Sequence, residues 1–549
     1  MSLIPQPFRD RVGTAAADLR AVARLHTEGV INLTRPDRVL RTAKENRTYG
    51  PQVAVILKAA REHPDAPALA DERGVLTYRE LDEQSNALAD ALLNSGLRPG
   101  SVVAVLARDH RGLLLTISAA GRAGVRLAMM NTGFAKPQFA EVAARENVQA
   151  VLHDSEFADL LDALPATLPR ILTWVDEGYV PPARSTTIDE LIARGARRLP
   201  PPPQRPGGFI ILTSGTTGLP KGAPRTKLTP LTSALFVDRI PFPRRGTVVI
   251  VSPLFHATGF GMWTVATALA NKTVLLRRFD AEATLRALAS HRAEMLVAVP
   301  TMLNRMVALG PDVIGRYDLS ALRSIVVAGS ALSPDLAARV QDTFGEVLYN
   351  LYGSTEVAIA TVAQPHELRT APGTVGRAPV TTRVALFAED DRRIRARSVR
   401  GRVFVRSGAP FEGYTDGRHK QIIDGYMSTG DMGHFDTAGL LFIDGRDDDM
   451  IVSGGENVYP LEVENLLAEL AGVDDVAVVG VDDEDFGKRL RAFIVPAPGA
   501  TPDPQHIKDH VRANLARYKV PREVLFVDEL PRNATGKVLR RALEELDPA

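Results

Sequence analysis

Short apolar runs alternate with helix-like segments through most of the chain. Segment 78–95 carries leucines at helical spacing and is followed by glycine and proline, which end a helix. Segment 112–124 is typical of a second helix. Seven apolar runs predict buried strands: 101–107, 150–153, 209–212, 247–251, 273–276, 295–299 and 324–328. Strands that alternate with helices indicate parallel sheets covered on both faces, so an α/β fold is predicted.

The composition fits a globular enzyme and excludes several other classes of protein. Apolar residues make up 45% of the 549 residues, which is too many for a disordered chain. Lys and Arg number 66 against 65 Asp and Glu, without the basic excess typical of a nucleic-acid-binding protein. The absence of cysteine excludes a disulfide scaffold, a thiolate metal site and a cysteine nucleophile. Without a signal-like or membrane-spanning run, the sequence predicts a soluble cytoplasmic protein.

The first part of the chain differs from the rest in charge. Residues 1–61 contain 11 Lys and Arg against 5 Asp and Glu, a local net charge of +6. Apolar side chains lie between these charges, so short amphipathic helices are predicted. Two interpretations follow: a helical extension packed on the main body, or a weak attachment to an anionic membrane surface.

A predicted strand leads directly into a loop whose composition suits a polyphosphate. Segment 210–222 reads Ile-Ile-Leu-Thr-Ser-Gly-Thr-Thr-Gly-Leu-Pro-Lys-Gly. Glycines let backbone N–H groups converge on an anion, and the hydroxyl groups and the lysine supply further donors. The loop is not a Walker A motif, because Pro220 stands where that motif requires glycine. The segment therefore predicts a phosphate-binding loop of another kind.

Four further blocks follow this loop along the chain. They are 350–356 (Asn-Leu-Tyr-Gly-Ser-Thr-Glu), 428–433 (Ser-Thr-Gly-Asp-Met-Gly), 445–460 (Gly-Arg-Asp-Asp-Asp through Asn-Val-Tyr-Pro) and 531–540 (Pro-Arg-Asn-Ala-Thr-Gly-Lys-Val-Leu-Arg). With the loop, they resemble the ordered motifs of the adenylate-forming superfamily, in its acyl-CoA synthetase branch. The resemblance covers residues 65–545.

The resemblance implies a two-part molecule. A large N-terminal domain of parallel α/β sheets with a β-barrel-like part is expected at residues 61–444, after a basic helical extension at 1–60. A hinge at 445–449 would lead to a small mobile α+β domain at 450–549. The dipeptide Asp444-Gly445 has the composition of a surface turn, which is predicted here. The small domain of the family rotates between two half-reactions, and Asp448 matches the hinge position.

The resemblance also implies the chemistry and its cofactors. The family activates a carboxylic acid with ATP and Mg²⁺ to give an acyl-adenylate and pyrophosphate. The acyl group then passes to coenzyme A as a thioester, and AMP is released. Because the first step joins two anions, oriented donors and positive charges are expected to supply most of the catalysis. Small molecules are thus the expected partners, with no nucleic acid and at most a weak membrane contact.

Carried over motif by motif, the resemblance implies a nucleotide site. Tyr352 would stack on adenine, Asp431 would accept both ribose hydroxyls, and Arg446 would assist at the ribose or phosphate. The full set of nucleotide-binding residues is Thr213, Ser214, Gly215, Thr216, Thr217, Gly218, Lys221, Gly329, Ser330, Asn350, Tyr352, Gly353, Ser354, Thr355, Asp431, Arg446 and Lys537.

Four residues are implied to act in catalysis. Lys537 would bridge the substrate carboxylate and the α-phosphate during adenylation, and His256 would line the entrance for the carboxylate. Thr216 and Glu356 would hold Mg²⁺, which favours such hard oxygen ligands. In the second half-reaction, Gly454 and Gly455 would line the passage for coenzyme A.

The acid itself is less constrained. Phe260, Met262 and Trp263 are candidates for an acyl pocket, although such a cluster is equally typical of a core. With the basic N-terminal extension, they favour a medium- or long-chain fatty acid. An aryl acid, or transfer to an amine or a carrier protein, is the alternative. A catalytically silent acyl- or nucleotide-binding module is the hypothesis from another class.

Overall fold

The computed structural model describes residues 6–182, 185–213, 221–225, 230–409, 411–447, 450–453, 456–483, 487–515, 517–533 and 535–546. These residues form four β-sheets with helices between them. Two sheets are mainly parallel, one is antiparallel and one belongs to the C-terminal part of the chain. The predicted α/β fold class, with its smaller α+β part, is confirmed.

Sheet A has eight strands, and its strand Leu348–Ser354 carries several of the candidate site residues. Its inner strands are parallel, and an antiparallel strand closes each edge. All four residues of Met295–Ala298 are fully buried, because helices cover both faces of the sheet. In spatial order the strands are Ala358–Ala363, Leu348–Ser354, Ser324–Val327, Met295–Ala298, Thr247–Ile250, Lys272–Leu275, Pro67–Asp71 and Gly74–Thr77.

Sheet B has seven strands, all parallel except for the last pair. The strand Phe209–Thr213, which enters the predicted phosphate loop, pairs antiparallel with Lys221–Arg225, which leaves it. In spatial order the strands are Thr186–Thr187, Arg170–Trp174, Val148–Asp154, Val102–Leu106, Arg126–Met129, Phe209–Thr213 and Lys221–Arg225.

Sheet C is antiparallel and corresponds to the predicted barrel-like part. Its strands are Thr374–Gly376, Arg383–Phe387, Arg393–Ile394, Gly401–Arg406, Ile422–Ile423, Tyr426–Phe435 and Leu441–Arg446. Sheet D follows in the C-terminal part, with strands Ile451–Ser453, Glu456–Val458, Val473–Asp483, Gly487–Pro496 and Glu523–Phe526.

The helices between the strands start and stop at local signals that the sequence carries. Tyr78–Asn94 begins with a capping box, in which Thr77 accepts from Glu80 N and the Glu80 side chain accepts from Thr77 N. Arg111–Ala123 ends at Gly124 in the left-handed conformation.

The other helices of sheets A and B are Lys136–Arg145, Ile188–Arg194, Ala234–Val237, Ala257–Ala268, Ala281–Ser290, Pro300–Val307, Pro311–Ile314, Pro334–Phe344 and Pro365–Thr370, with 3₁₀ turns at Ser155–Ala163 and Pro230–Ser233. Sheet D is accompanied by Pro460–Ala468, Pro504–Asn514, Arg540–Glu544 and the 3₁₀ turn Arg517–Lys519.

Three helices precede sheet A: Gln6–Thr27, Pro36–Tyr49 and Pro51–Glu62. They are packed on the main body through Ala21 and Leu25, which belong to the same apolar core as Trp263. Lys58 Nζ donates to the carbonyl oxygens of Val30 at 2.9 Å and Ala268 at 2.8 Å. None of the described helices is long and apolar enough to cross a membrane.

One local interpretation of the sequence is wrong. Asp444-Gly445 has the composition of a surface turn, but it lies within the strand Leu441–Arg446. Pairing with the neighbouring strand of sheet C extends to Arg446, opposite Asp431. The first two residues of the expected hinge, Gly445 and Arg446, are therefore strand residues.

Candidate active site

In both mainly parallel sheets, a strand ends at its carboxyl end in a segment that carries candidate site residues. Strand Phe209–Thr213 of sheet B ends at the predicted phosphate loop, and Leu348–Ser354 of sheet A ends at the turn 355–357. Ligands of α/β proteins commonly bind at the carboxyl ends of such strands. Ser214, Gly215, Thr216, Thr217 and Gly218 lie outside the described residues, as does the side chain of Thr213.

The structure brings Tyr352, Asp431 and Arg446 together. The Tyr352 hydroxyl donates to Asp431 Oδ2, and Arg446 Nη1 lies 3.4 Å from Asp431 Oδ1. The pairing of strands Tyr426–Phe435 and Leu441–Arg446 places Asp431 directly opposite Arg446. Burial raises the pKa of Asp431, against the opposing effects of Arg446, Tyr352, Thr429 and the charge of Lys537. Lys537 therefore lies within electrostatic reach of the Asp431 carboxylate.

The turn that carries Lys537 is held in place from two sides. Asn533 Oδ1 accepts from Lys537 N at 2.9 Å and from Thr535 Oγ1 at 2.7 Å, which closes the turn. A Cβ at Gly536 would lie 2.7 Å from Thr301 Oγ1, and one at Gly329 would lie 3.4 Å from the Thr535 carbonyl oxygen. Both glycines have positive φ and allow this close approach. The C-terminal turn is therefore docked against sheet A, beside Gly329.

The Glu356 carboxylate lies in the turn after Ser354, beside Tyr414. The Tyr414 hydroxyl donates to Glu356 Oε1 at 2.5 Å, and Ser354 Oγ accepts from Glu356 N at 3.3 Å. Burial alone would raise the pKa of Glu356, but hydrogen bonds from Tyr414 and Ser354 outweigh it and lower the pKa. An ionised carboxylate is suited to Mg²⁺.

The donor set fits a metal held by few protein ligands. Among the described residues, no group of three or more His, Cys, Asp and Glu side chains could hold a metal ion. Mg²⁺ commonly uses one or two carboxylates and completes its coordination with phosphate oxygens and water. Glu356 fits that pattern, with ATP supplying further oxygens.

The hairpin that follows Tyr352 has its own requirement for glycine at position 353. The resemblance implies that Gly353 also lets the ring and the backbone approach each other, which stays a prediction. In the structure, a side chain at Gly353 would overlap the Ala358 carbonyl group on the paired strand. The antiparallel pairing of Leu348–Ser354 with Ala358–Ala363 shifts register at this point. The hairpin itself therefore requires glycine here. Asn350, three residues earlier on the same strand, is buried.

The comparisons with known proteins agree with this geometry. A family model described as AMP-binding enzyme matches residues 56–415, and one described as AMP-binding enzyme C-terminal domain matches 462–537. The chain belongs to the AMP-binding enzyme family. This confirms the predicted superfamily, an AMP-forming acid–thiol ligase, and ATP, Mg²⁺ and coenzyme A as its cofactors.

Two curated relatives and one solved structure cover most of this AMP-binding enzyme. An indoleacetate–CoA ligase of Aromatoleum aromaticum is 33% identical, over 86% of this chain and 93% of its own. A feruloyl-CoA synthase of an Amycolatopsis species is 32% identical, over 88% and 96%. The crystal structure of the anthranilate CoA ligase AuaEII with anthranoyl-AMP is 25% identical with a TM-score of 0.80, over 91% and 98%.

His256 of this AMP-binding enzyme is kept neutral by its surroundings. It immediately precedes the helix Ala257–Ala268, and its Nε2 has no hydrogen-bond partner within the described part of the chain. Burial lowers its pKa to about 4. On the following helix, Met262 and Trp263 are fully buried in the core, as the alternative interpretation of this cluster expects. They pack the enzyme and do not line an open pocket.

Asp109 is a buried carboxyl that the sequence did not reveal. It lies after the strand Val102–Leu106, and its Oδ1 accepts from Leu254 N at 3.0 Å, two residues before His256. Burial raises its pKa to about 7, helped by Asp154 and opposed by Leu254 N–H and by Arg108. A local sequence signal for this role is absent, because Leu254 lies 145 residues away.

The raised pKa of Asp109 predicts a pH-dependent stability. A folded-state pKa above the ordinary 3.8 means that the folded enzyme binds the proton more tightly, so stability is lost as pH rises toward about 7. Asp109→Asn cannot ionise and keeps an oxygen to accept from Leu254. Relative to wild type, we expect it to gain about 1 kcal/mol of unfolding free energy between pH 6 and pH 8. Urea unfolding measures this gain; parallel pH profiles of the two proteins would contradict the burial argument.

Three of the remaining expectations concern residues outside the described ranges. Asp448, the hinge residue, and Gly454 and Gly455, the residues expected at the coenzyme A passage, all fall there. Lys221 is described and lies at the start of the strand that leaves the phosphate loop. Ser330 and Thr355 follow the strand ends of sheet A, beside Gly329 and Glu356 respectively.

Proposed function

We propose that this enzyme activates a carboxylic acid bearing an aromatic or fused ring, and transfers the acyl group to coenzyme A. The observation that carries the proposal is the convergence of Tyr352, Asp431 and Arg446 with the turn of Lys537. A carboxylate that can bind ribose and an ammonium that can bridge two anions, at one site, suit adenylation. The docked C-terminal turn corresponds to the first half-reaction.

In this proposal, the carboxylate oxygen of the acid attacks the α-phosphorus of ATP. A phosphorus–oxygen bond to pyrophosphate breaks, and the acyl-adenylate forms. Lys537 holds the carboxylate and the α-phosphate together, while Asp431 fixes the ribose and Tyr352 the adenine. Glu356 and Thr216 would hold the metal, which when bound would supply positive charge to the phosphates. Preorganised positive charge supplies most of the rate enhancement.

The second step needs different residues at the same site. The small domain, at 450–549, would rotate about Asp448 in the expected hinge, beyond the strand residues Gly445 and Arg446, and Gly454 and Gly455 would then face the acyl-adenylate. The coenzyme A sulfur attacks the acyl carbon, the bond to AMP breaks, and the thiol proton is released. Loops and domains that close over successive intermediates are a common way to assemble such sites.

The ring-bearing acid replaces the fatty acid that the sequence favoured. The two relatives at 32–33% identity are named for indoleacetate and for ferulate, which both carry an aromatic ring. The solved anthranilate ligase likewise holds an aromatic adenylate. Met262 and Trp263, part of the case for a long apolar pocket, are core residues. A cytoplasmic location and a membrane contact of residues 1–60 stay predictions.

The test is pyrophosphate exchange into ATP, without coenzyme A, across three sets of acids. We expect exchange with aryl or fused-ring acids, little with straight-chain fatty acids, and none without acid. Coenzyme A, pantetheine and a carrier protein are then compared as acceptors of the adenylate. Exchange with fatty acids alone would overturn the substrate proposal. ATP binding without exchange for any acid would instead favour a silent binding module.

A further inference from the structure

We propose that Tyr414 is a positioning residue that holds the metal carboxylate Glu356 and the phosphate-loop lysine Lys221 in one fixed arrangement. The inference rests on the proposed function, because it concerns the site at which MgATP would bind. Tyr414 lies outside the motifs that identify the family in this sequence. Its role comes from three contacts, two made by its own side chain and one made by the neighbouring residue, Thr415.

The first contact fixes the Glu356 side chain. The Tyr414 hydroxyl donates to Glu356 Oε1 at 2.5 Å, and both side chains are buried. Hydrogen bonds to an ionised carboxylate are stronger than those between neutral groups. Glu356 lies in a short turn and carries a flexible side chain, so this bond selects its orientation. A metal ligand oriented in advance does not have to be ordered when the metal arrives.

The second contact involves Lys221. Its Nζ lies 5.2 Å from the centre of the Tyr414 ring, within the range of a cation–π interaction. The Tyr414 side chain therefore contacts the Lys221 ammonium through its ring and the Glu356 carboxylate through its hydroxyl. The edge of Phe411 packs on the Tyr414 ring with centroids 5.0 Å apart, which limits rotation of that ring.

The third contact ties the backbone beside Tyr414 to the phosphate loop. Thr415 N donates to the Gly222 carbonyl oxygen at 2.9 Å, and Thr415 Oγ1 donates to Glu146 Oε1 at 2.9 Å. Gly222 follows Lys221, and a Cβ there would lie 2.6 Å from Thr415 Oγ1. The end of the phosphate loop and Tyr414 are thus held as one unit, with Glu356 attached through the phenol.

This arrangement links two sheets at the point where phosphates would bind. Lys221 belongs to sheet B and Glu356 follows a strand of sheet A. The spacing between the ammonium and the metal therefore depends on Tyr414. Without the Tyr414 hydroxyl, the Glu356 carboxylate loses one of the hydrogen bonds that orient it, and more of its ordering must accompany metal binding.

The test compares Tyr414→Phe with wild type in direct metal binding. Mn²⁺, which is paramagnetic, replaces Mg²⁺, and a non-hydrolysable ATP analogue replaces ATP. The bound fraction is read from the spin-resonance signal of free Mn²⁺. We expect about tenfold weaker Mn²⁺ binding to the complex of Tyr414→Phe with the analogue, since one charge-assisted hydrogen bond is lost. The KM for the acid is expected to stay unchanged.

The chain offers a matched control in Tyr317→Phe. Tyr317 also donates its hydroxyl to a carboxylate, Glu282 Oε1, at 2.7 Å. Glu282 belongs to the helix Ala281–Ser290. This variant should bind Mn²⁺ like wild type. A second variant, Tyr414→Leu, removes the contact with Lys221 as well and should weaken binding of the analogue itself.

Equal Mn²⁺ affinity of wild type and Tyr414→Phe would overturn the inference. So would an equal loss in Tyr317→Phe, since a general change in stability would then explain both. The Mn²⁺ binding result does not depend on which acid is activated, because no acid is present in that measurement. A failure of the acid panel and a failure of this test are therefore distinguishable.

Discussion

Lys537→Ala is expected to lower the rate of adenylation by about 10²–10³, the usual loss when one oriented donor to a developing charge is removed. The turn that carries Lys537 is docked beside Gly329, and the lysine charge reaches the Asp431 carboxylate. The loss should fall on the first half-reaction alone, because Lys537 serves the α-phosphate and not the thiol. Pyrophosphate exchange measures adenylation. Thioester formation from supplied acyl-adenylate and coenzyme A measures the second step.

Two features of this experiment separate catalysis from folding. The turn is closed by Asn533, which accepts from the backbone N–H of Lys537, so the alanine variant keeps that bond. Lys508→Ala, on the helix Pro504–Asn514 of the same C-terminal part, is the control and should retain both activities. Equal losses of rate in the two half-reactions of Lys537→Ala would contradict a role of Lys537 in adenylation alone.

Asp431→Ala is expected to lower kcat/KM for ATP by about 10²-fold, since two hydrogen bonds from the ribose to a charged group are lost. The carboxylate also partners Arg446 and Tyr352, so its removal takes one acceptor away from a partly buried guanidinium and one from a partly buried phenol. The KM for the acid should change little, because Asp431 lies at the nucleotide end of the site. Steady-state pyrophosphate release at varied ATP measures the effect.

Asp431→Asn should lower kcat/KM for ATP by less than Asp431→Ala does, because the asparagine amide keeps one acceptor oxygen. Asp436→Ala is the matched control in the same sheet. Asp436 accepts from Leu440 N at 2.7 Å in a turn beyond the strand, away from Arg446. If Asp431→Ala raised the KM of the acid as much as that of ATP, Asp431 would not be the ribose ligand.

Buried parallel strands were the part of the fold most readable from sequence. The run 295–299 predicts a strand, and the structure has Met295–Ala298 with every residue buried. A strand covered on both faces must be apolar along its whole length, so its pattern is visible without knowledge of its neighbours. Asp444-Gly445 shows the opposite case. A turn-like dipeptide stays in a strand because it pairs with Met432 and neighbouring residues in space.

The candidate site likewise contains residues that the sequence reveals and residues that it does not. Motif residues such as Asp431, Glu356 and Lys537 could be named from the sequence because they stand in recognisable blocks. Tyr414 and Asp109 could not, because their partners lie 58 and 145 residues away. The sequence favoured a fatty acid for a related reason. An apolar cluster at Met262 and Trp263 fits a core and a pocket equally well until the packing is known.

The buried ammonium of Lys58 has a consequence for shortened forms of the enzyme. The family match starts at Ile56, which suggests a natural place to begin a truncated chain. Such a chain keeps Lys58 but discards the Val30 carbonyl, one of the two acceptors of its ammonium. It also uncovers the core surface beneath Ala21 and Leu25, where the first helix packs on Ala234–Val237. A trimmed chain is thus expected to be less stable although every motif residue is present, so a truncation should stop before residue 21 and not at the family boundary.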